Sequence, residues 1–225
     1  MIKFFKTVFF LLLFVYNAKA THIVGGEIYY TYLGGNSYEI KLLVYRDCFN
    51  GQAPFDNPAS IGFFDSNFNL VTDVFVNITT QGNIANTITS PCLTPPSNVC
   101  YEFAEYNTVV SLNIPSGGLQ VVYQRCCRNN SIINLVQQQG ATYTTTIPDV
   151  AVVPVNSSPQ FNLLPSTFIC QNAPFRFDHA ATDAEGDSLV YELCAPFDGA
   201  SSFSPQPQPP DPPPYNTIVF QPPYS

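Results

Sequence analysis

Apolar and polar residues alternate with a period of two along much of this chain. From Ser37 to Phe49, Tyr38, Ile40, Leu42 and Val44 fall on one face, and Glu39, Lys41, Leu43 and Tyr45 fall on the other. Successive side chains of a strand point to opposite faces, so this segment predicts a strand buried mainly on one side. Glu27 to Leu33 has the same character, and Gly34-Gly35-Asn36 between the two runs predicts a tight hairpin. Ile61–Phe64 and Leu70–Thr79 predict a second hairpin around residues 65–69. Further strands are expected at Tyr101–Asn113, Leu119–Cys127 and Ala141–Ile147, the last with Ala141, Tyr143, Thr145 and Ile147 facing one way. Only Asn130–Gln139 carries a helical signal, a turn or two capped by Ser131. Strands at short spacing, separated by Gly, Pro and Asn, point to an all-β chain with a β-sandwich over residues 21–150.

Composition shifts near Asp149. Beyond it, Phe161–Ile169, Pro174–Phe177, Ser188–Leu193 and Thr217–Phe220 read as strands of a second, partial β domain over residues 151–225. Residues 204–214 are dominated by proline and predict an extended, polyproline-like loop. Too few strands follow to close a second sandwich, so the natural protein is expected to continue past residue 225.

The amino terminus changes the compartment. Lys3 and Lys6 precede an apolar run from Val8 to Tyr16, and Ala18-Lys19-Ala20 supplies small residues at a cleavage position. This is a secretory signal over residues 1–20, with the mature chain starting at Thr21. The apolar run is too short to cross a bilayer, which takes about twenty residues, and no membrane span is expected in the mature chain. Loss of Lys3, Lys6 and Lys19 moves the formal net charge from −8 to −11. Such a chain repels polyanions, so nucleic acid is excluded as a partner on bulk charge.

All seven cysteines lie in the exported part: Cys48, Cys92, Cys100, Cys126, Cys127, Cys170 and Cys194. In an oxidising compartment these read as disulfides. The lack of a C-x-x-C pair argues against zinc and thioredoxin-like chemistry. Cys92 and Cys100 flank a proline-containing loop and are expected to pair, as are Cys170 and Cys194. Cys126 and Cys127 are neighbours on an expected strand and should face opposite ways. Each is therefore expected to have its own partner, Cys48 taking one of them, with one cysteine left over.

No enzyme is expected. Ile23-Val24-Gly25-Gly26 matches the freed terminus of trypsin-like proteases, but signal cleavage would expose Thr21 instead. His22 and His179 are the only histidines, and no Gly-Asp-Ser-Gly string is present. The glycines read as a bulge or tight bend at the start of the first strand. Glu102 and Glu105 lie an odd number apart and point to opposite strand faces, so they do not form a glycosidase pair. Asp183, Glu185 and Asp187 surround Gly186 and are candidate calcium ligands, needing further carboxylates such as Asp178 or Glu192. The competing reading is an acidic turn bonded to its own amides. Tyr29, Tyr30, Tyr32, Tyr45 and Tyr106 are candidates for a glycan-binding platform.

Four strings carry a family resemblance: Thr21–Ile28 (THIVGGEI), Val44–Cys48 (VYRDC), Asn98–Glu102 (NVCYE) and Tyr123–Asn129 (YQRCCRN). Together they resemble the amino-terminal module of large Bacteroidetes surface proteins that end in a gliding-motility-associated or type IX secretion sorting domain. Pro174–Leu193, with the string Ala180–Glu192 inside it, is similar to bacterial cadherin-like or immunoglobulin-like repeats, which implies that the second domain is a partial Ig-like or cadherin-like unit. The resemblance implies a non-catalytic adhesin or motility-associated module on the outer cell surface, reached through the periplasm, with surface glycans or other proteins as partners. The rival reading is a carbohydrate-binding module of a secreted hydrolase.

Overall fold

Among the described residues every element formed is a strand. The computed structural model describes residues 22–51, 53–84, 97–169 and 172–224. Its strands are β1 (Ile23–Gly34), β2 (Ser37–Asp47), β3 (Ala59–Asp65), β4 (Leu70–Val76), β5 (Thr80–Asn83), β6 (Tyr101–Ser111), β7 (Leu119–Arg125), β8 (Ala141–Ile147), β9 (Gln160–Phe161) and β10 (Ala181–Thr182). The main body is two antiparallel four-stranded sheets, ordered β1-β2-β6-β5 and β4-β3-β7-β8. Both expected hairpins form. Gly34 and Gly35 carry φ of 105° and 59° at the first turn, a region open to glycine at no steric cost.

The sheets pack face to face. The first contributes Tyr30, Tyr38, Ile40, Leu42 and Val44 to a shared core, and the second contributes Ile61, Phe63, Val121, Tyr123 and Ile147. The four residues Tyr38, Ile40, Leu42 and Val44, marked by alternation alone, are all buried. Each such side chain contributes roughly 1.5–3 kcal/mol on burial. The expected bulge is also present, as a register slip between Ile23 and Gly25. At Gly26 a Cβ would meet the Leu43 carbonyl and the Tyr143 ring at 2.8 Å, so the sheets approach too closely there for any side chain.

The second sheet is covered on its outer side as well. Ser60, Gly62 and Phe64 of β3 point away from the core yet are buried, and Pro210 approaches Gly62 from that outer side. Pro207, Pro210 and Pro213 are buried at every third position, the spacing of a polyproline-type turn, although the bonds preceding Pro209 and Pro214 are cis. The Asp211 amide donates to Gln124 Oε1 at 2.8 Å, and the Cys126 amide donates to the Pro205 carbonyl at 3.0 Å. The proline-rich run is thus a third layer strapped across β3 and β7.

Several expectations are corrected. Residues 130–139 form successive turns and no helix, with Leu135 bridged to Phe220. The strands expected at Pro174–Phe177 and Ser188–Leu193 do not form, and Phe161–Ile169 is a strand only at Phe161. Thr217–Phe220 makes only isolated bridges, Thr217 to Phe197 and Phe220 to Leu135. A strand needs a partner ladder for its amides, and Ser188–Leu193 has none, leaving Val190 and Leu193 fully exposed.

The disulfide pairing also differs. Cys48 bonds Cys100, with Cα atoms 5.1 Å apart, so neither the Cys92–Cys100 pair nor a Cys48 bond to Cys126 or Cys127 is made. Cys126 and Cys127 bond each other across a cis peptide. Strand β7 ends at Arg125, so the strand alternation that assigned them separate partners does not reach them. Cys194 is an exposed free thiol. Cys92 and Cys170 lie outside the described residues, as do residues 1–20, where a leader is expected.

Candidate glycan-binding groove

The inner face of the first sheet is spent on the core, which leaves its outer face for contact with other molecules. Alternation places Glu27 and Tyr29 of β1, Leu43 and Tyr45 of β2, and Phe103 and Glu105 of β6 on that outer side. The register sets Glu27 opposite Leu43, Tyr29 opposite Lys41 and Tyr45 opposite Phe103.

Residues 157–167 run beside this face as a rail, anchored to the open edge of β1. The Tyr30 amide donates to Ser158 Oγ at 2.8 Å, and the Ser158 amide donates to the Tyr30 carbonyl at 3.0 Å. One register step along, the Tyr32 amide donates to Ser157 Oγ at 3.1 Å. Glu185 completes the anchor, its carboxylate accepting from the Ser157 amide and hydroxyl, each at 3.0 Å. Two serines therefore satisfy edge amides that would otherwise be unpaired.

Between rail and sheet lie three contiguous hollows. The first, about 320 Å³, is walled by Val24, Gly25, Tyr45, Tyr101, Leu164 and Pro165. The second, about 220 Å³, lies over Tyr29, Leu43, Tyr45 and Phe103. The third, about 280 Å³, is lined by Thr31, Ser157, Gln160, Asn162 and Thr182. The first two share Glu27, Tyr45 and Leu164, and the last two share Gln160, Phe161 and Asn162. They form one groove following β1 from Gly25 to Thr31, a path of about 20 Å at strand rise.

Its electrostatics are simple. Among the described residues, Glu27 is the only charged one lining the three hollows. Tyr45 donates its phenol to Glu27 Oε1 at 3.0 Å. Burial, and then the Glu27 charge, hold the Tyr45 phenol far above the ordinary tyrosine range. Burial first, then Glu27, Glu105 and Glu39, push Tyr29 up to about 12. Both phenols stay neutral near pH 7, as ring faces with a hydroxyl edge. Lys41, the nearest ammonium on this face, pairs with Glu105 at 3.6 Å. Glu102 lies opposite Arg46 and pairs with it, on the other face from Glu105.

The remaining candidates are dispersed. Tyr30 and Tyr106 are core residues, and Tyr32 packs against Tyr38 at 5.4 Å. Asp183 accepts the amides of Glu185 and Asp187 at 3.1 and 2.9 Å, while Glu185 is turned to Ser157. The three candidate calcium ligands therefore do not converge, and among the described residues no three His, Cys, Asp or Glu side chains form a metal-holding group. The acidic turn serves its own backbone and the rail. His179 packs edge-on against Phe177 at 4.5 Å.

A second polar cluster lies beyond one end of the core. Arg125 meets Asp56 at 3.2 Å, and Asp56 accepts the Tyr123 phenol at 2.9 Å and the Gln206 amide. The Tyr106 phenol donates to the Asp56 carbonyl at 2.6 Å. Burial pushes the Asp56 carboxyl up, against the Arg125 charge. His22 is buried nearby with neither ring nitrogen partnered among the described residues, and burial lowers it to about 4, aided by Arg125 and Arg46 and opposed by Asp47. Apart from His22 this cluster is internally satisfied, so it braces the fold.

Phe103, Gln160, Asn162 and Leu164 are groove residues that sequence reasoning missed. Phe103 was readable as the outer-face neighbour of Tyr45 once β2 and β6 were paired. The rail residues had no local signal, because their placement rests on bonds such as Tyr30–Ser158, 128 positions apart. In comparisons with known proteins, no family model, no curated protein and no solved structure matches this chain.

Proposed function

We propose that this chain is a non-catalytic binding module of an exported surface protein, acting in adhesion or gliding motility, with the groove between rail and sheet as its contact surface. The observation that carries the reading is the groove itself: a continuous recess of aromatic, amide and hydroxyl groups on a doubly braced sandwich. A rigid sheet presenting half-buried rings binds with little loss of side-chain freedom. The groove has one carboxylate and no histidine, which leaves it without the paired acid and base that hydrolysis requires. The leader over residues 1–20 and the four strings of the surface-protein resemblance support an extracellular setting.

A second reading, a carbohydrate-binding module attached to a secreted hydrolase, is favoured by the placement of Tyr29 and Tyr45 in the same hollow. The test common to both is adhesion of the purified mature chain to immobilised cell-surface polysaccharides and proteins. Tyr29→Ala/Tyr45→Ala should weaken adhesion at least tenfold while circular dichroism and melting stay close to wild type. Unchanged adhesion removes the groove as the contact surface. Release of reducing ends or peptides by the wild-type chain, abolished in Glu27→Gln, overturns the non-catalytic reading.

A further inference from the structure

We infer that the groove takes a linear, uncharged polysaccharide chain and discriminates against anionic glycans, a deepening that rests on the groove being the contact surface. Three features of its lining select this ligand. The first concerns backbone groups. The groove crosses a sheet face, where the peptide groups of β1, β2 and β6 are already committed to their ladders. The one nearby strand edge, that of β1, is taken at Tyr30 and Tyr32 by Ser158 and Ser157. A peptide strand gains affinity chiefly by adding its own hydrogen bonds to a sheet edge, and here that edge is interrupted at Tyr30 and Tyr32.

The second feature is the distribution of polarity. Tyr29, Tyr45 and Phe103 offer ring faces in the middle of the groove, while Thr31, Gln160, Asn162 and Thr182 offer hydroxyls and amides at one end. Thr182 donates to Asn162 Oδ1 at 2.7 Å, and a lipid tail would desolvate the remaining amide and hydroxyl capacity of this end, at a cost for each buried group. A pyranose chain matches both, because each ring has apolar C–H faces and a rim of hydroxyls. The path of about 20 Å along β1 accommodates several linked rings.

The third feature is charge. No Lys or Arg lines the groove, its single charge is the Glu27 carboxylate, and Glu39 and Glu105 act on the same face. Uronate, sulfate or sialate groups would meet a negative field in which the ammonium of this face, Lys41, is already paired with Glu105, and like charges in a partly desolvated site repel strongly. Neutral hexosans and N-acetylated chains meet no such penalty.

The experiment is isothermal titration of the mature chain, at fixed ionic strength, with neutral oligosaccharides and polysaccharides (β-glucan, xylan, mannan, chitin oligomers) and with alginate, hyaluronan and heparin. At least one neutral chain should bind, at least tenfold more tightly than any anionic one. Affinity should rise with chain length from monosaccharide to hexasaccharide and then level off. Tyr29→Ala/Tyr45→Ala should abolish that binding, and Glu27→Lys should narrow the neutral-over-anionic ratio at least threefold. Tighter binding of an anionic glycan, lost in the tyrosine variant, overturns the ligand class and leaves the groove standing. The same holds for a protein partner whose binding depends on those tyrosines. No neutral chain bound, with adhesion insensitive to the tyrosines, overturns both.

Discussion

Cys48 and Cys100 face each other one position past the last rung of the β2–β6 ladder, where Asp47 lies opposite Tyr101, and the Cys48 amide donates to the Cys100 carbonyl at 3.0 Å. The ladder itself therefore sets the pairing. Any pair of strands held in that register presents these two positions to each other at Cα 5.1 Å, within the range a disulfide spans. The bond also fixes the start of the loop that supplies Asp56, since 52 positions of chain are closed by it.

Replacing both cysteines, Cys48→Ala/Cys100→Ala, should cost about 4 kcal/mol by the chain-entropy relation for a loop of that length. Urea unfolding of the oxidised wild type and the double variant is the measurement. A loss below about 1 kcal/mol would mean that the closed loop stays ordered without its covalent link.

His22 sets an acid limit. Its folded pKa of about 4 lies below the ordinary 6.5, so the neutral ring is the form the fold prefers. The unfolded chain takes up a proton first as pH falls, so the stability held by neutral His22 is full above about 6.5 and lost on the way down to about 4. The size is on the order of 3 kcal/mol. Unfolding free energies measured across that window should fall more steeply for wild type than for His22→Phe. Parallel slopes would show that the ring is not the group titrating.

The Asp56–Arg125 pair is buried on both sides, each side chain about 4% exposed. Removing one member strands the other, at a cost of roughly 3–5 kcal/mol. Asp56→Asn and Arg125→Met should each destabilise by that order, and the double variant by much less than the sum. A double-mutant cycle by chemical denaturation gives the coupling directly, and additive losses would contradict the pairing.

Much of the sandwich was legible before any coordinates. In β2 the alternation of Tyr38, Ile40, Leu42 and Val44 against Glu39, Lys41, Leu43 and Tyr45 separated the core face from the outer face correctly, because a sheet covered on one side imposes that period. Tyr29 and Tyr45 were among five tyrosines named for a glycan platform, but two of the five, Tyr30 and Tyr106, belong to the core. What failed was long range. Cys100 was assigned to Cys92 because the two are close in sequence, whereas strand register decided its partner. Ser188–Leu193 reads apolar at Leu189, Val190, Tyr191 and Leu193, yet a strand exists only where a second chain segment offers its amides. The proline-rich run was expected to loop out and instead lies against β3, a surface that the alternation of β3 alone does not advertise.

The rail should be separable from the fold. Ser157 and Ser158 contribute hydrogen bonds worth about 1 kcal/mol each, and none of them lies in the core. Ser157→Ala/Ser158→Ala should lower global stability modestly while accelerating proteolytic cleavage near residues 156–163 and weakening ligand binding in step. Equal cleavage rates in wild type and variant would mean that other contacts hold the rail.

Gly62 tests the third layer. It sits in mid-strand, where alanine is ordinarily the better residue, and Gly82 in β5 is a matched control. At Gly82 the nearest atom to an added Cβ is Phe103 Cε1 at 3.4 Å, an ordinary contact. At Gly62 the added atom would meet Phe64 Cε2 at 3.0 Å and Pro210 Cδ at 3.2 Å, between two groups that are themselves buried. Phe64 is hemmed in by the sheet and Pro210 by the strap, so one of them must yield. Gly82→Ala should fall within about 0.5 kcal/mol of wild type, while Gly62→Ala should cost roughly 1–3 kcal/mol through overpacking. Deleting residues 204–224 would relieve the Pro210 contact but uncover Phe64, so the alanine penalty measured in that shortened chain should shrink while its total stability falls. If Gly62→Ala costs the same with and without the strap, the proline-rich run does not press on β3.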